Sequence, residues 1–231
     1  MTCNVQLFER KSSLSPRGGT IMIRPNASRI LSGWGLQAAF NAVSDVSSAT
    51  VYRSGSTGEV LQRRLAALYS EYSDWGTDRE SALILLDKEA RKAGARVSFG
   101  VTVTEISDSA TGAVATLSTD ERVDADLVLV ADGINSRLRS HVVDPLSEPS
   151  GPLIGTSTLY QVTISGPDIR SDSCTRQLCE TTELNVWMGD GGYVVGRYNT
   201  RLDRFNAIFG TLGDAKENLS LWEAVSYSQA C

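Results

Sequence analysis

Apolar residues recur along this chain with two periods, one suited to helices and one to strands. Val5 to Phe8 is a short apolar-rich run that ends at Glu9 and predicts a strand. Lys11 to Thr20 has no period and carries Pro16, Gly18 and Gly19, the marks of a loop. Ile30, Leu31 and Trp34 then follow at helical spacing. Pro25 suits the first turn of that helix, because the N–H it lacks would be unpaired there anyway. Gly33 and Gly35 mark its end. Ala49 to Arg53 and Glu59 to Arg63 are extended runs joined by Ser-Gly-Ser-Thr-Gly, which predicts a hairpin. Thr77-Asp78-Arg79-Glu80 reads as a capping box, the threonine accepting from the helix start and the glutamate reaching back. Leu83, Leu86, Ala90 and Ala93 share one face of that helix, and Gly94 closes it as a left-handed cap.

The second half is richer in strands. Arg96 to Phe99, Thr102 to Ile106 and Ala113 to Leu117 are strand-like runs separated by small-residue turns. Asp126 to Ala131 (DLVLVA) is a continuous apolar run and predicts a strand buried on both faces of a parallel sheet. Asp132-Gly133 ends it, and a short helical stretch, Asn135 to His141, follows. Pro149, Gly151 and Pro152 form a natural boundary. Beyond it lie β-type runs at Thr158 to Ile164, Leu184 to Met188, Tyr193 to Tyr198 and Phe205 to Phe209, which predict a mostly antiparallel layer. Glu217 to Ala230 reads as a final amphipathic helix through Leu219, Trp222 and Val225. The expected class is α/β (α+β).

Composition narrows the chemistry. The 231 residues fit one large domain or two small ones, and 41 % hydrophobic with 21 % charged residues is enough for a packed core. A net charge of −5 argues against nucleic acid and against anionic membranes, since both demand positive charge. No apolar run approaches a membrane span, and the opening MTCNVQLFER lacks the pattern of a signal peptide, so the expected location is the cytoplasm. In that compartment Cys3, Cys174, Cys179 and Cys231 are expected as free thiols. With a single histidine, His141, and no pair of cysteines at ligand spacing, no metal site is expected. No nucleophile-elbow sequence accompanies His141.

Four strings carry candidate chemistry. An acid that ends a strand, as Glu9 does, can accept hydrogen bonds from ribose hydroxyls in a dinucleotide-binding fold. The plainer reading is a solvated glutamate beside Arg10 and Lys11. Arg24 to Leu36 reads as a loop entering a helix through Pro25, or plainly as a connecting helix with a buried tryptophan. Arg79 is an odd choice for a first helical turn, where the dipole favours acids. It calls for a phosphate or ribose partner, or for pairing with Asp78 or Glu80. Asp132 follows an apolar strand, in the crevice where open α/β sheets bind ligands, and Gly133 lets backbone come close to one. Arg137 and Arg139 add positive charge there. The plain alternative is an ordinary strand-to-helix turn.

Taken in order, VQLFER, GGTIMIRPNASRIL, WGTDRE and ADLVLVADGINSRLR resemble the group A FAD-dependent monooxygenases, the salicylate and p-hydroxybenzoate hydroxylase family. The resemblance is good over Val5 to His141 and fainter from Leu159 to Phe209. It implies a partial FAD-binding, Rossmann-like parallel sheet in residues 1–147 and a partial substrate-binding β-sheet region in 148–231. It implies that Glu9 binds the FAD ribose, that Gly18 and Gly19 lie near the flavin, that Arg79 contacts the cofactor, and that Asp132 and Gly133 belong to a motif linked to FAD and NAD(P)H. Members reduce FAD with NAD(P)H and oxygenate a small organic molecule, here an aromatic or polyketide-like substrate, some of them in secondary metabolism.

This sequence also departs from the family. The family strand and GxGxxG turn that precede the segment matching VQLFER are missing, which leads us to expect a chain truncated at both ends. Gly213-Asp214 lacks the context of the family's later Gly-Asp motif and reads as a turn. Tyr160-Gln161 stands where many members have Tyr-Arg. Arg197 falls where a tyrosine is expected, with Tyr198 one step on, and both are candidate substrate-site residues. The missing strand exposes backbone groups, each costing about 1–3 kcal/mol if buried unpaired, against about 5–15 kcal/mol for a whole domain. A competing expectation is therefore a non-catalytic remnant, self-associating through an open sheet edge. A nicotinamide-only dehydrogenase fits poorly, because it too needs a glycine-rich phosphate turn.

Overall fold

A computed structural model describes residues 3–14, 19–65, 71–143 and 157–212. In chain order they form β1 (Gln6–Glu9), β2 (Thr20–Ile23), α1 (Pro25–Gly33), α2 (Gln37–Val43), β3 (Asp45–Val46), β4 (Ala49–Ser54), β5 (Val60–Leu65), β6 (Trp75–Asp78) and α3 (Arg79–Lys92). Then follow β7 (Arg96–Phe99), β8 (Val103–Ser109), β9 (Gly112–Leu117), β10 (Arg122–Ala125), α4 (Arg139–Val142), β11 (Ser157–Ser165), α5 (Gly166–Ser171), a 3-10 turn (Arg176–Cys179), β12 (Leu184–Gly189), β13 (Gly192–Asn199) and β14 (Arg204–Leu212). Gly18, Gly213-Asp214 and the helix expected at 217–230 lie outside the described residues.

The chain divides into two compact units, Met1–Ser15 with Asp87–Ile154, and Pro16–Leu86 with Gly155–Cys231. It passes between them three times, whereas composition suggests one boundary at 147/148. The reason is long-range pairing. Strand β4, early in the sequence, lies parallel to β12, with Thr50 opposite Leu184 and Ser54 opposite Met188. That pairing draws the early segment into the later sheet.

In the first unit β1 and β7 form a parallel pair, from Gln6 opposite Arg96 to Glu9 opposite Phe99. The loops that follow them are joined as well: Gly100 N–H donates to the Lys11 carbonyl at 2.7 Å and Val101 N–H to the Glu9 carbonyl at 3.1 Å. Strands β8, β9 and β10 form an antiparallel meander that buries Val114, Ala115 and Leu117. One expectation fails here. Residues 127–131 are not a strand, and no described strand pairs with them. Leu127 is 71 % and Leu129 80 % exposed. An apolar run becomes a buried parallel strand only where neighbours accept its hydrogen bonds on both sides. The helical stretch expected at Asn135 to His141 is also shorter, reduced to the four residues of α4.

The second unit holds a six-stranded sheet in the order β11-β14-β13-β12-β4-β5, antiparallel except at β12 and β4. The β4–β5 hairpin and all four late strands stand where periodicity predicts them. A small sheet, β2-β6-β3, is antiparallel throughout. Its core gathers Ile23, Phe40, Trp75 and Ala82, with Phe40 stacked on Trp75 at a centroid distance of 5.2 Å. Truncating such an aromatic costs about 3–5 kcal/mol, so these two rings dominate a small core. Helix α2, which carries Phe40, has too few periodic positions to be read from sequence. Trp34 is 68 % exposed rather than buried, because it caps α1 instead of facing its core. A second core joins Ile169, Tyr198, Phe205 and Ala207, covered by α5 and the 3-10 turn through Leu178.

Candidate functional site

Glu9 is the last residue of β1 and is half-buried. One carboxylate oxygen accepts the Lys11 N–H at 2.8 Å. The strand and the stitched loops fix its backbone, so its carboxylate sits at the carboxyl end of a parallel pair, where open α/β sheets take ligands. In the same unit Asp132 is exposed, with Oδ2 accepting the Arg137 N–H at 3.1 Å. Gly133 has φ +91, and a Cβ there would meet nothing within 4 Å. Backbone in that conformation with open space beside it can be approached closely by a ligand.

Gly19 and Arg79 belong to the other unit and are brought together. The Arg79 N–H donates to the Gly19 carbonyl at 3.0 Å. Gly19 has φ +143, and any Cβ would overlap the Gln161 amide. Both the torsion and the contact therefore demand glycine. The Arg79 side chain is exposed, and among the described residues it makes no ion pair. The carboxylates that sequence offered it, Asp78 and Glu80, are taken by Arg204 at 3.4 and 3.5 Å. The capping box also resolves differently. Asp78 caps α3, its Oδ1 accepting the Ser81 N–H at 2.7 Å, while Thr77 donates to the Val43 carbonyl. Thr77 lies two residues before α3 begins at Arg79, one position too early to cap.

Arg197 and Tyr198 are neighbours on β13 and so face opposite sides of the sheet. Tyr198 joins the core under α5, where its hydroxyl donates to Asp203 and accepts from Arg170. Burial and the Asp203 carboxylate push its phenol up, while hydrogen bonds from Arg170 and Tyr198 hold Asp203 down at about 2. An apolar cavity of about 580 Å³ opens on this face, lined by Trp187, Phe205, Phe209 and Leu178. Arg197 faces β6 instead, the side that carries Gly19 and Arg79. It is 1 % exposed, and burial pulls its guanidinium below the ordinary arginine range. This apolar cavity thus lies across the sheet from Gly19 and Arg79, and we do not assign the site to it.

Gly33-Trp34-Gly35-Leu36-Gln37-Ala38 has the spacing of a GxGxxA fingerprint, but it joins α1 to α2. The fingerprint works only between a strand and a helix. Among the described residues no strand–glycine turn–helix unit of that kind occurs. What the described residues offer is, in one unit, a carboxylate acceptor and an open glycine turn, and, in the other, an arginine at a helix start that makes no ion pair among them.

No family model matches the chain. It is 25 % identical over 203 residues to FAD-dependent monooxygenase OpS4 of Beauveria bassiana, covering 84 % of this chain and 46 % of that protein. It is 32 % identical over 147 residues to salicylate hydroxylase of Pseudomonas putida, covering 61 % of this chain and 32 % of that protein. The chain is related to the FAD-dependent monooxygenases. Its fold matches the crystal structure of CtdE in complex with FAD and substrate 4, with a TM-score of 0.80 at 18 % identity, over 95 % of this chain and 57 % of that one. This FAD-monooxygenase relative spans no more than about half the length of those two curated proteins, at 46 % and 32 %. The α/β class with several sheets is the one its sequence predicts.

Proposed function

We propose that this chain carries part of the cofactor-binding region and part of the substrate sheet of an FAD-dependent monooxygenase that oxygenates a small organic molecule. The observation that supports it best is the sequence similarity to OpS4 and salicylate hydroxylase on a fold that matches an FAD-bound structure. Bound FAD supplies the redox chemistry: NAD(P)H provides two electrons, one oxygen atom of O₂ enters the substrate and the other leaves as water. The chain's own part is to bind and orient. Glu9 accepts from the ribose hydroxyls. Gly133 admits the cofactor close to the backbone, with Asp132 pinning that turn. Arg79, unpaired at the start of α3, pairs an anionic or polar group of the cofactor, and Gly19 holds that helix start. Arg197 and Tyr198 serve the substrate sheet on opposite faces, and only the Arg197 face adjoins Gly19. An aromatic or polyketide-like substrate, in secondary metabolism, is in keeping with the fungal relative. A cytoplasmic location is in keeping with use of NAD(P)H, and no described helix is long and apolar enough to cross a membrane.

The test is FAD-dependent oxidation of NAD(P)H with a panel of small aromatic acids and phenols. The expected product is the substrate with one added oxygen atom. No consumption by the folded chain would favour the interaction-module reading instead.

A further inference from the structure

We propose that Arg197 is a positioning residue that seats β6, and through it the first turn of α3, so that Arg79 and Gly19 are held ready for the cofactor. The cofactor half of this statement rests on the FAD reading above; the structural half does not.

The guanidinium is an unusual structural part. It is fully buried, no carboxylate lies within hydrogen-bond reach, and its Nε has no partner among the described atoms. Its other nitrogens are spent on backbone and sulfur. Nη2 donates to the carbonyls of Asp45 at 3.3 Å and Thr182 at 3.4 Å, and Nη1 to Met22 Sδ at 3.1 Å. Asp45 and Asp74 act on it only through space, without a hydrogen bond, so the buried charge remains costly, and an apolar residue would fill the same space without that cost. What arginine adds is reach in several directions from one rigid plane. Those directions lead to β2, to β3 and to Thr182, two residues before β12.

Strand β6 is built around this side chain. All four of its residues are buried. Gly76 leaves room for no Cβ, which would overlap Nη1 of Arg197. Two further side chains from the same sheet hold the strand and the helix it starts. Asn199 Nδ2 donates to the Gly76 carbonyl at 3.2 Å and the Val43 carbonyl at 3.1 Å. Arg204 reaches Asp78 and Glu80 across the start of α3. Gln161 packs on Gly19, whose carbonyl takes the Arg79 N–H. Four residues of β11, β13 and β14 thus converge on one junction. Arg197 and Asn199 are the most buried of them, each 1 % exposed. Displacing it would let β6 shift while the long hydrogen-bond ladder of β11, β14 and β13 stays intact, and Arg79 would move with the strand.

Amide hydrogen exchange on the full 231-residue chain tests this. Arg197→Lys keeps the charge but not the fork, and Gly76→Ala pushes on the guanidinium from the other side. In both, the amides of Thr77, Arg79 and Ser81 are expected to exchange about tenfold faster, while those of β11–β14 keep wild-type protection. Arg197→Met should show the same pattern more strongly; if it does not fold, the other two variants decide. FAD affinity should fall about tenfold in parallel, with Arg197→Lys above Arg197→Met. Junction amides that match wild type, or an acceleration spread evenly over β11–β14, would overturn the proposal. If wild-type chain takes up no FAD, the cofactor reading fails alone, and the exchange pattern still decides the positioning role.

Discussion

At the scale of single residues, the candidates differ in what holds them. Glu9 and Asp132 are fixed by short-range backbone contacts, to Lys11 N–H and Arg137 N–H. Gly19 is fixed from far away, between Arg79 and Gln161. Gly19→Ala therefore carries two penalties, a φ of +143 that side chains rarely adopt and an overlap with the Gln161 amide. Strain of that kind costs about 1–3 kcal/mol. Urea denaturation should show a loss of that order, and adding Gln161→Ala should recover only part of it, because the torsion remains. Full recovery would mean that sterics alone set the requirement. Glu9, Arg79, Asp132 and Gly133 stand out in the sequence because each ends or begins a local pattern, although the strand expected ahead of Asp132 is not formed by 127–131. Asn199, Arg204 and Asp45 were not: their partners lie more than a hundred residues away, and no local period records such a contact.

At the scale of elements, amphipathic alternation was a good guide wherever a strand has one face on a core. Strand β4, with Ala49 and Val51 buried, and β11 to β14 stand where it places them, whereas β5 is exposed throughout and is read from its turn. It failed at 127–131, where burial on both faces depends on neighbours that periodicity cannot supply. Short β2, β3 and β6, the six-residue α5 and the seven-residue α2 were also unread, being too short to repeat a period. Helix α5 is instead tied to the β13–β14 turn by Arg170, which bonds both oxygens of Asp203 at 2.6 and 3.0 Å. That tie is pH-sensitive in a defined direction. The folded-state pKa of Asp203, about 2, lies below the ordinary aspartate value near 3.9. Its contribution is therefore full above about pH 4 and is lost as pH falls towards 2. Both charged groups are exposed, so the effect is small and salt-screened. Denaturation midpoints of wild type and Asp203→Asn should differ at pH 6 and converge on acidification. A gap that widens on acidification would contradict the assignment.

At the scale of the whole molecule, the ordered strings around Glu9, Pro25, Arg79 and Asp132 pointed to a flavin monooxygenase relative, and the comparisons agree. The division into units was hidden, because the pairing of β4 with β12 spans the sequence. The proposed function requires that this chain bind FAD, with Glu9, Asp132 and Gly133 as candidates in one unit and Arg79 as a candidate in the other. Titrating the folded chain with FAD, and following flavin fluorescence and the visible spectrum, tests it most directly. The account predicts saturable binding with a shifted flavin spectrum, weakened about tenfold or more by Glu9→Gln and by Arg79→Met. A folded chain that leaves the flavin spectrum unchanged at every concentration, or one whose binding ignores both substitutions, would contradict it.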